Sequence, residues 1–455
     1  MVSNDLHATE ALATYTVESD FQDLPSEVVT AVKASMLDGL AVGLAGSVET
    51  VGKIITSFIQ DLGGTPQSSV IGARFRTAAP HAALANGAMI HALDYDDGLQ
   101  IFSFHCTSVL LPTVLALGEV RGLSGKGAIT AFAFGLEVAA ALFRAANRHD
   151  YDIGWHRTAT IGTLASAAAG AKVLGLDLYQ TRNALGIAAS QSSGIRQNFG
   201  TMTKPFHSGM AARNGVTAAM LAQRGLTADL NILEAKLGFC NVFYGDGNFQ
   251  PTKIAESLSH PFEYISAIRI KRYPCCGQNT RPVDALLSLI HENDIQAQEV
   301  EHVECGVNPS VMNILIHSNP TTGLEGKFSL EFCLAVALLD RKVGLDQFTD
   351  DRVNDPLVRE MIKKIRKWPD PTVPHSGGKG PTVTVRLRDG REYSRRIDMP
   401  EGQPWAPSTK QEQIAKYHDC AKRVLSAEQA EVGLELIQNL EEVEDIRRVM
   451  AVISS

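Results

Sequence analysis

The sequence predicts a mainly α protein: a large all-helical domain interrupted by a smaller α+β domain. Three observations carry that expectation. From about 79 to 225, apolar residues recur at helical spacing in one segment after another. These segments are crowded with Ala, Gly and Ser, which let helix axes approach closely. Near residue 265 the pattern changes to strand-like alternation, and after Pro400 it returns to helices. A chain of 455 residues is also too long for one compact core. The expected layout is therefore 1–265 helical, 266–400 α+β, and 401–455 helical again.

Taken in order, residues 8–46 read as helices, with Leu24-Pro25-Ser26-Glu27 as a helix start and Leu37-Asp38-Gly39-Leu40 in a buried run. A short strand is expected at 68–72. Segments 108–121, 127–146, 159–174, 179–193 and 207–225 each combine helical spacing with Gly or polar punctuation. Ala267–Tyr273 and Glu301–Val307 alternate like strands. Thr382–Arg388 and Arg391–Ile397 flank Asp389-Gly390, a dipeptide suited to a type I′ hairpin turn. Helices are expected between these strands at 281–293 and 327–340, and after them at 408–424, 426–439 and 441–450.

Bulk composition narrows the function classes. Net charge is −8 with acids and bases interleaved, which argues against a nucleic-acid footprint but leaves a small anionic substrate open. No run of eighteen apolar residues lacks a charge, so no membrane partner is expected. The opening MVSNDLHATEALATY carries early acids and no apolar stretch, unlike a secretory signal. Seven cysteines with no CxxC pair fit reduced thiols and a cytoplasmic location.

Candidate chemistry gathers in four segments. His91-Ala-Leu-Asp-Tyr-Asp-Asp97, followed by His105, sets three carboxylates and two imidazoles in an apolar region. Buried charges are costly unless paired or working, and crowded carboxylates push one another's pKa values apart. The second segment is Gly154-Trp155-His156-Arg157-Thr158, with a His at a helix start. Gly200-Thr-Met-Thr-Lys204-Pro-Phe-His207-Ser-Gly209 is the third, with a Lys suited to a carboxylate. Lys271-Arg272-Tyr273-Pro274-Cys275-Cys276-Gly277, with Arg281 beyond it, forms a basic edge at the start of the second domain.

In this order the segments resemble the MmgE/PrpD family, which includes 2-methylcitrate dehydratase, cis-aconitate decarboxylase and iminodisuccinate epimerase. The resemblance runs over nearly the whole chain, through LDGLAVGLAGS, HALDYDD, VLLPTVLALGE, GWHRTATIGT, LGIAASQSSGIRQNFGTMTKPFHSGMAARNGV, IKRYPCCG and TTGLEGKFSLEFCLAVALLD. It implies a large helical domain, a smaller α+β lid, a homodimer, and chemistry without metal or organic cofactor. It also implies roles: Asp94 as an active-site carboxylate, His105 and His156 as the two site histidines, Lys204 as the lysine of the KPxHxG segment, and Lys271 at the lid edge. The chain departs from the family pattern at Gly98, where decarboxylase-like members carry Thr, and at His105-Cys106-Thr107, where His-Pro-Ser is usual. Cys276 and Arg281 stand at frequent His positions, and His317-Ser-Asn-Pro320 lacks a Tyr found in the animal decarboxylases. The TMTKP block is closer to iminodisuccinate epimerase.

The family reactions share bond making or breaking next to a carboxylate, where enolate-like charge develops. Lys204, Lys271 and Arg281 are the expected carboxylate binders, with Asp97 also at the substrate and Arg best suited to a bidentate clamp. His156 is the expected main acid/base, with Asp94 tuning one His and His105 as the other candidate. The expected activity is a cofactor-independent lyase of a small di- or tricarboxylate; an epimerase of a small dicarboxylate is the alternative. A non-catalytic scaffold requires the ordered His/Asp/Lys set to be incidental. A metal centre on His91, Asp94, Asp97 and His105, joined by Cys275-Cys276, lacks HExxH or CxxC spacing, so no metal is expected.

Overall fold

The structure, a computed structural model, describes residues 7–147, 149–374, 377–399 and 407–454. The chain is mainly α and divides into two compact units, Met1–Ile268 with Thr409–Ser455, and Arg269–Ser408. The boundary expected at 400–401 lies outside the described residues.

The first unit contains helices α1 (Ala8–Glu18), α2 (Ser26–Ser47), α3 (Thr50–Leu62), α4 (Ala79–His91), α5 (Thr107–Arg121), α6 (Gly125–Ala145), α7 (Arg157–Leu174), α8 (Leu178–Ala189) and α9 (Thr203–Gln223). Its short hairpin pairs β1 (Ser68–Val70) with β2 (Ala73–Thr77). α9 packs on α4, α7 and α8, and α5 packs on α4 and α7. Helix starts follow local chemistry: the Asp177 side chain accepts from the Gln180 N–H before α8, and Ser124 does the same for Gly127 before α6. α2 and α6 are long and apolar enough to cross a bilayer, yet 72% and 94% of their apolar windows are buried inside the protein. They serve as core helices, and α2 carries the buried Asp38.

In the second unit, helices α10 (Thr280–Asn293) and α11 (Leu330–Asp340) pack with a four-stranded sheet. Strands β3 (Val300–Val307), β4 (Ile365–Pro369), β5 (Thr382–Leu387) and β6 (Glu392–Arg396) lie in the order β4-β3-β5-β6. β3 runs parallel to β4 and antiparallel to β5, with Cys305 opposite both Lys367 and Val383. Their inward residues Val303, Cys305, Val383 and Val385 close the core against Leu286, Phe332 and Leu334. The chain then returns to the first unit with α12 (Lys410–Ala421), α13 (Ala427–Gln438) and α14 (Arg447–Ile453).

Several elements differ from the sequence expectation for local reasons. Only Ile268–Arg269 of the alternating stretch 267–273 is a strand. Pro274 lacks the N–H a ladder needs and restricts Tyr273 before it. The Asp389-Gly390 turn is not type I′, because only Gly390 takes a positive φ, at 90°. Gly390 N–H donates to Leu387 O, Leu387 N–H to Arg391 O, and Asp389 Oδ1 accepts from Arg391 N–H. That is a three-residue loop, a turn closed by a left-handed Gly.

Candidate active site

The site is built where two helices touch backbone to backbone. A Cβ on Gly87 of α4 would lie 2.8 Å from Gly209 Cα of α9, and one on Gly209 would lie 2.2 Å from Leu84 O. Only glycine permits this approach, and it brings His91, the last residue of α4, beside Lys204, in the first turn of α9. The chain leaves α4 through a turn in which Asp94 N–H donates to His91 O at 3.1 Å. Asp94 itself has φ 49°, a left-handed conformation that Asp tolerates better than most residues. Leu99 and Phe104 then pair through reciprocal backbone bonds and return the chain to His105 at the start of α5.

Lys204 Nζ lies 2.8 Å from both Asp94 Oδ1 and His91 Nε2. An ammonium only donates, so His91 Nε2 accepts and its proton sits on Nδ1. That Nδ1–H meets both Asp96 carboxylate oxygens, at 2.9 and 3.0 Å. Asp96 also faces His105 Nδ1 at 3.2 Å, and the same nitrogen is 3.0 Å from Asp97 O. His105 Nε2 lies 3.9 Å from Asp94 Oδ1. Burial drives the His91 pKa down to about 3 against the pull of Asp96, with Lys204 adding to the fall. Burial would raise Asp96, but His91 and His105 hold it well below the usual carboxylate range. The resting cluster is thus a neutral His91, an ionised Asp96 and the Lys204 ammonium.

His156 enters from the loop before α7. Its N–H donates to Gly194 O at 3.0 Å, and Trp155 and Ile195 form an antiparallel bridge. Gly194 has φ 116°, and a Cβ there would stand 2.5 Å from Ala159 Cβ. Arg157, beside it, is buried in a bidentate pair with Asp150 that fixes the loop. The His156 ring lies 6.3 Å from His91, is stacked edge-on against Phe199, and places Nδ1 3.2 Å from His207 Nδ1. Burial, then Lys204, pushes His156 well below its ordinary pKa, and His207 down to about 4. Both are neutral imidazoles at pH 7.

Asp97 does not join the others. Its side chain is fully buried and accepts from Thr107 Oγ1 at 2.8 Å and Thr107 N–H at 3.3 Å. The carboxylate that faces the histidines is that of Asp96, toward His91 and His105. Behind Asp97 lies Asp38, paired at 2.6 Å with Lys416 of α12. Lys416 also donates to Tyr95 O at 2.6 Å and sits 3.7 Å over the Tyr95 ring. The C-terminal helix α12 therefore holds the His91–Asp97 loop from behind. Replacing Lys416 by Met leaves Asp38 buried without its cation, and unfolding in urea is expected to show a loss of about 3–5 kcal/mol.

Burial, then the nearby Asp38 charge, raises Asp97 to about 7. A carboxyl whose folded pKa lies above its unfolded value binds more protons folded than unfolded, so its contribution to stability falls as pH rises. Relative to Asp97→Asn, the natural protein is expected to lose stability between pH 4 and 7. Denaturation of the pair across that range checks it; a constant difference contradicts it.

His91, Asp94, Asp96 and His105 offer ligand atoms within 4.8 Å of one another, a set able to hold a cation. The Lys204 ammonium already bonds two of these donors, so it supplies the positive charge a metal would bring. Asp94, His105, His156 and Lys204 thus come together in the first unit. Lys271 and Arg281 belong to the second unit and are buried there; Arg281 donates to Gly377 O at 3.3 Å and Gly378 O at 3.4 Å. Cys275 and Cys276 form no disulfide and lie near Cys333. Asp96 and His207 stood inside candidate segments without an assigned role, and Asp38 and Lys416 were not expected near the site. The one readable signal was His207, three positions after Lys204 and so on the same helix face.

Comparison with known proteins identifies the family of the chain. Residues 10–252 match the MmgE/PrpD N-terminal domain and 273–442 the MmgE/PrpD C-terminal domain. The chain is 28% identical to cis-aconitate decarboxylase of Homo sapiens over 96% of its own length and 92% of that protein's. It is likewise 28% identical to cis-aconitate decarboxylase of Aspergillus terreus, over 95% and 93%. The chain belongs to the MmgE/PrpD family and is an enzyme, a lyase of that type.

Proposed function

We propose that this enzyme decarboxylates a small tricarboxylate of the cis-aconitate class by acid/base catalysis, with no metal or organic cofactor. The observation that carries the reading is Lys204, a buried ammonium fixed by Asp94 and His91 beside a neutral His156. A substrate carboxylate binds at Lys204, which is held in place before substrate arrives. Loss of CO2 leaves electron density next to a remaining carboxylate, where the ammonium stabilises it. The one hydrogen bond of the His156 side chain among the described residues is at Nδ1, which leaves Nε2 to deliver a proton to that carbon. Asp96 fixes the tautomer of His91 and orients the His105 ring through its Nδ1.

The relatives named as cis-aconitate decarboxylases support the substrate class. Lys271 and Arg281 are proposed as further carboxylate binders on an α+β lid, and the active form as a homodimer. The free cysteines fit a cytoplasmic setting. His105 is a second neighbouring proton-transfer group, and dehydration or epimerisation would use two such groups. Proton NMR in D2O with cis-aconitate, citrate, 2-methylcitrate and iminodisuccinate separates the readings. The expected result is CO2 loss from cis-aconitate with one solvent deuteron in the product. Deuterium exchange on an intact carbon skeleton would replace it with the epimerase. Activity is expected to survive EDTA, with no bound metal by elemental analysis.

A further inference from the structure

His207 has no role in the chemistry described so far, although it is the only side chain, among the described residues, in hydrogen-bond contact with His156. The two Nδ1 atoms face each other at 3.2 Å. Two lone pairs, or two N–H groups, would repel at that distance, so one ring is the Nδ1–H tautomer and the other is not. His207 also lines a cavity of about 250 Å³ with Ser193, Asn198, Thr203 and Asn214. Its Nε2 bonds to no described residue, and the residue keeps 8% exposure, whereas His156 keeps 1%. His207 Nδ1 therefore addresses His156, and Nε2, which no described residue bonds, is the nitrogen left to meet water in a cavity lined by both polar and apolar side chains. The charged and titratable neighbours of the pair are Lys204, His91 and His105.

We propose that His207 relays protons from this cavity to His156. The inference rests on the decarboxylase reading above, and it supplies what that reaction consumes: R–COO⁻ + H⁺ → R–H + CO2. The C–C bond breaks, its electron pair takes the Nε2 proton of His156, and a C–H bond forms. His156 Nδ1 takes the proton that His207 Nδ1 donates, and His207 Nε2 takes one from solvent in the cavity. Both rings begin and end neutral with their tautomers exchanged, and they reset by exchange with water when product leaves. Because neither ring has to become an imidazolium, the relay suits a buried pair beside an ammonium. His207 touches no substrate; it acts through His156.

The relay makes two checkable demands. In ¹⁵N-histidine-labelled protein without substrate, long-range ¹H–¹⁵N spectra are expected to show His207 protonated at Nδ1 and His156 protonated at Nε2 and bare at Nδ1; the reverse arrangement also overturns the relay. Finding both protonated at Nε2 overturns the relay whatever the protein catalyses. His207→Asn keeps a hydrogen-bonding group near the Nδ1 position but cannot pass a proton through. Its kcat is expected to fall about 10-fold or more, with KM within about threefold and an unchanged Tm. His207→Ala opens space for imidazole, and added imidazole is expected to restore turnover in proportion to its concentration. Wild-type kcat in His207→Asn, or no imidazole rescue of a folded His207→Ala, refutes the relay. A wild-type protein inert toward the tricarboxylate panel refutes the decarboxylase reading, while the spectra still decide the tautomers.

Discussion

Replacing His156 by Ala is expected to lower turnover by about 10³-fold while leaving the fold intact, because in the proposed mechanism it removes the acid that protonates the carbon. The ring is not a keystone of the core: its contacts are Phe199, His207 and the face of His91. The backbone bond from His156 N–H to Gly194 O persists in the variant. A Tm within a few degrees of wild type should accompany the loss. His156→Gln, which keeps a polar side chain without a titratable ring, should be as inactive as the Ala variant. Near-normal turnover in either would remove His156 from the mechanism and pass the acid role to His105.

Lys204→Met should produce a double effect. The substrate carboxylate loses its cation, and so do Asp94 and His91, whose acceptor atoms each lie 2.8 Å from Nζ. Breaking a buried pair by removing one partner typically costs about 3–5 kcal/mol, so a fall in Tm of several degrees is expected along with weaker binding. KM for dianionic and trianionic substrates should rise about 10-fold or more. Arg is not a substitute: its planar fork does not fit a site that seats a point charge between an imidazole nitrogen and one carboxylate oxygen. Unchanged kinetic constants in Lys204→Met would place this lysine outside the site.

Much of the site was legible because its residues violate their surroundings. Carboxylates and imidazoles between His91 and His105, and a Lys before Pro-Phe-His, stand out in Ala- and Gly-rich helical sequence. The helical segments were readable for the same reason that they pack: period and small residues are local properties. What could not be read was direction. Asp94 adopts a left-handed turn at φ 49°, which rotates the chain so that Asp96 meets the histidines and Asp97 turns to Thr107. No periodicity argument anticipates one positive φ at a non-Gly residue. Lys416 stands 321 residues after the Tyr95 carbonyl it holds, so that contact exists only once α12 returns to the first unit. The Asp-Gly turn was placed correctly, but its type depends on which residue takes the positive φ, a matter the dipeptide leaves open.

The most direct test of the central claim is CO2 release from carboxylate-labelled cis-aconitate by EDTA-treated enzyme, with His156→Ala alongside. The account predicts one labelled CO2 per molecule of substrate consumed by wild type, and at least about 10³-fold slower release by the variant. No CO2 from a folded wild-type enzyme, or release from the variant at the wild-type rate, would contradict it.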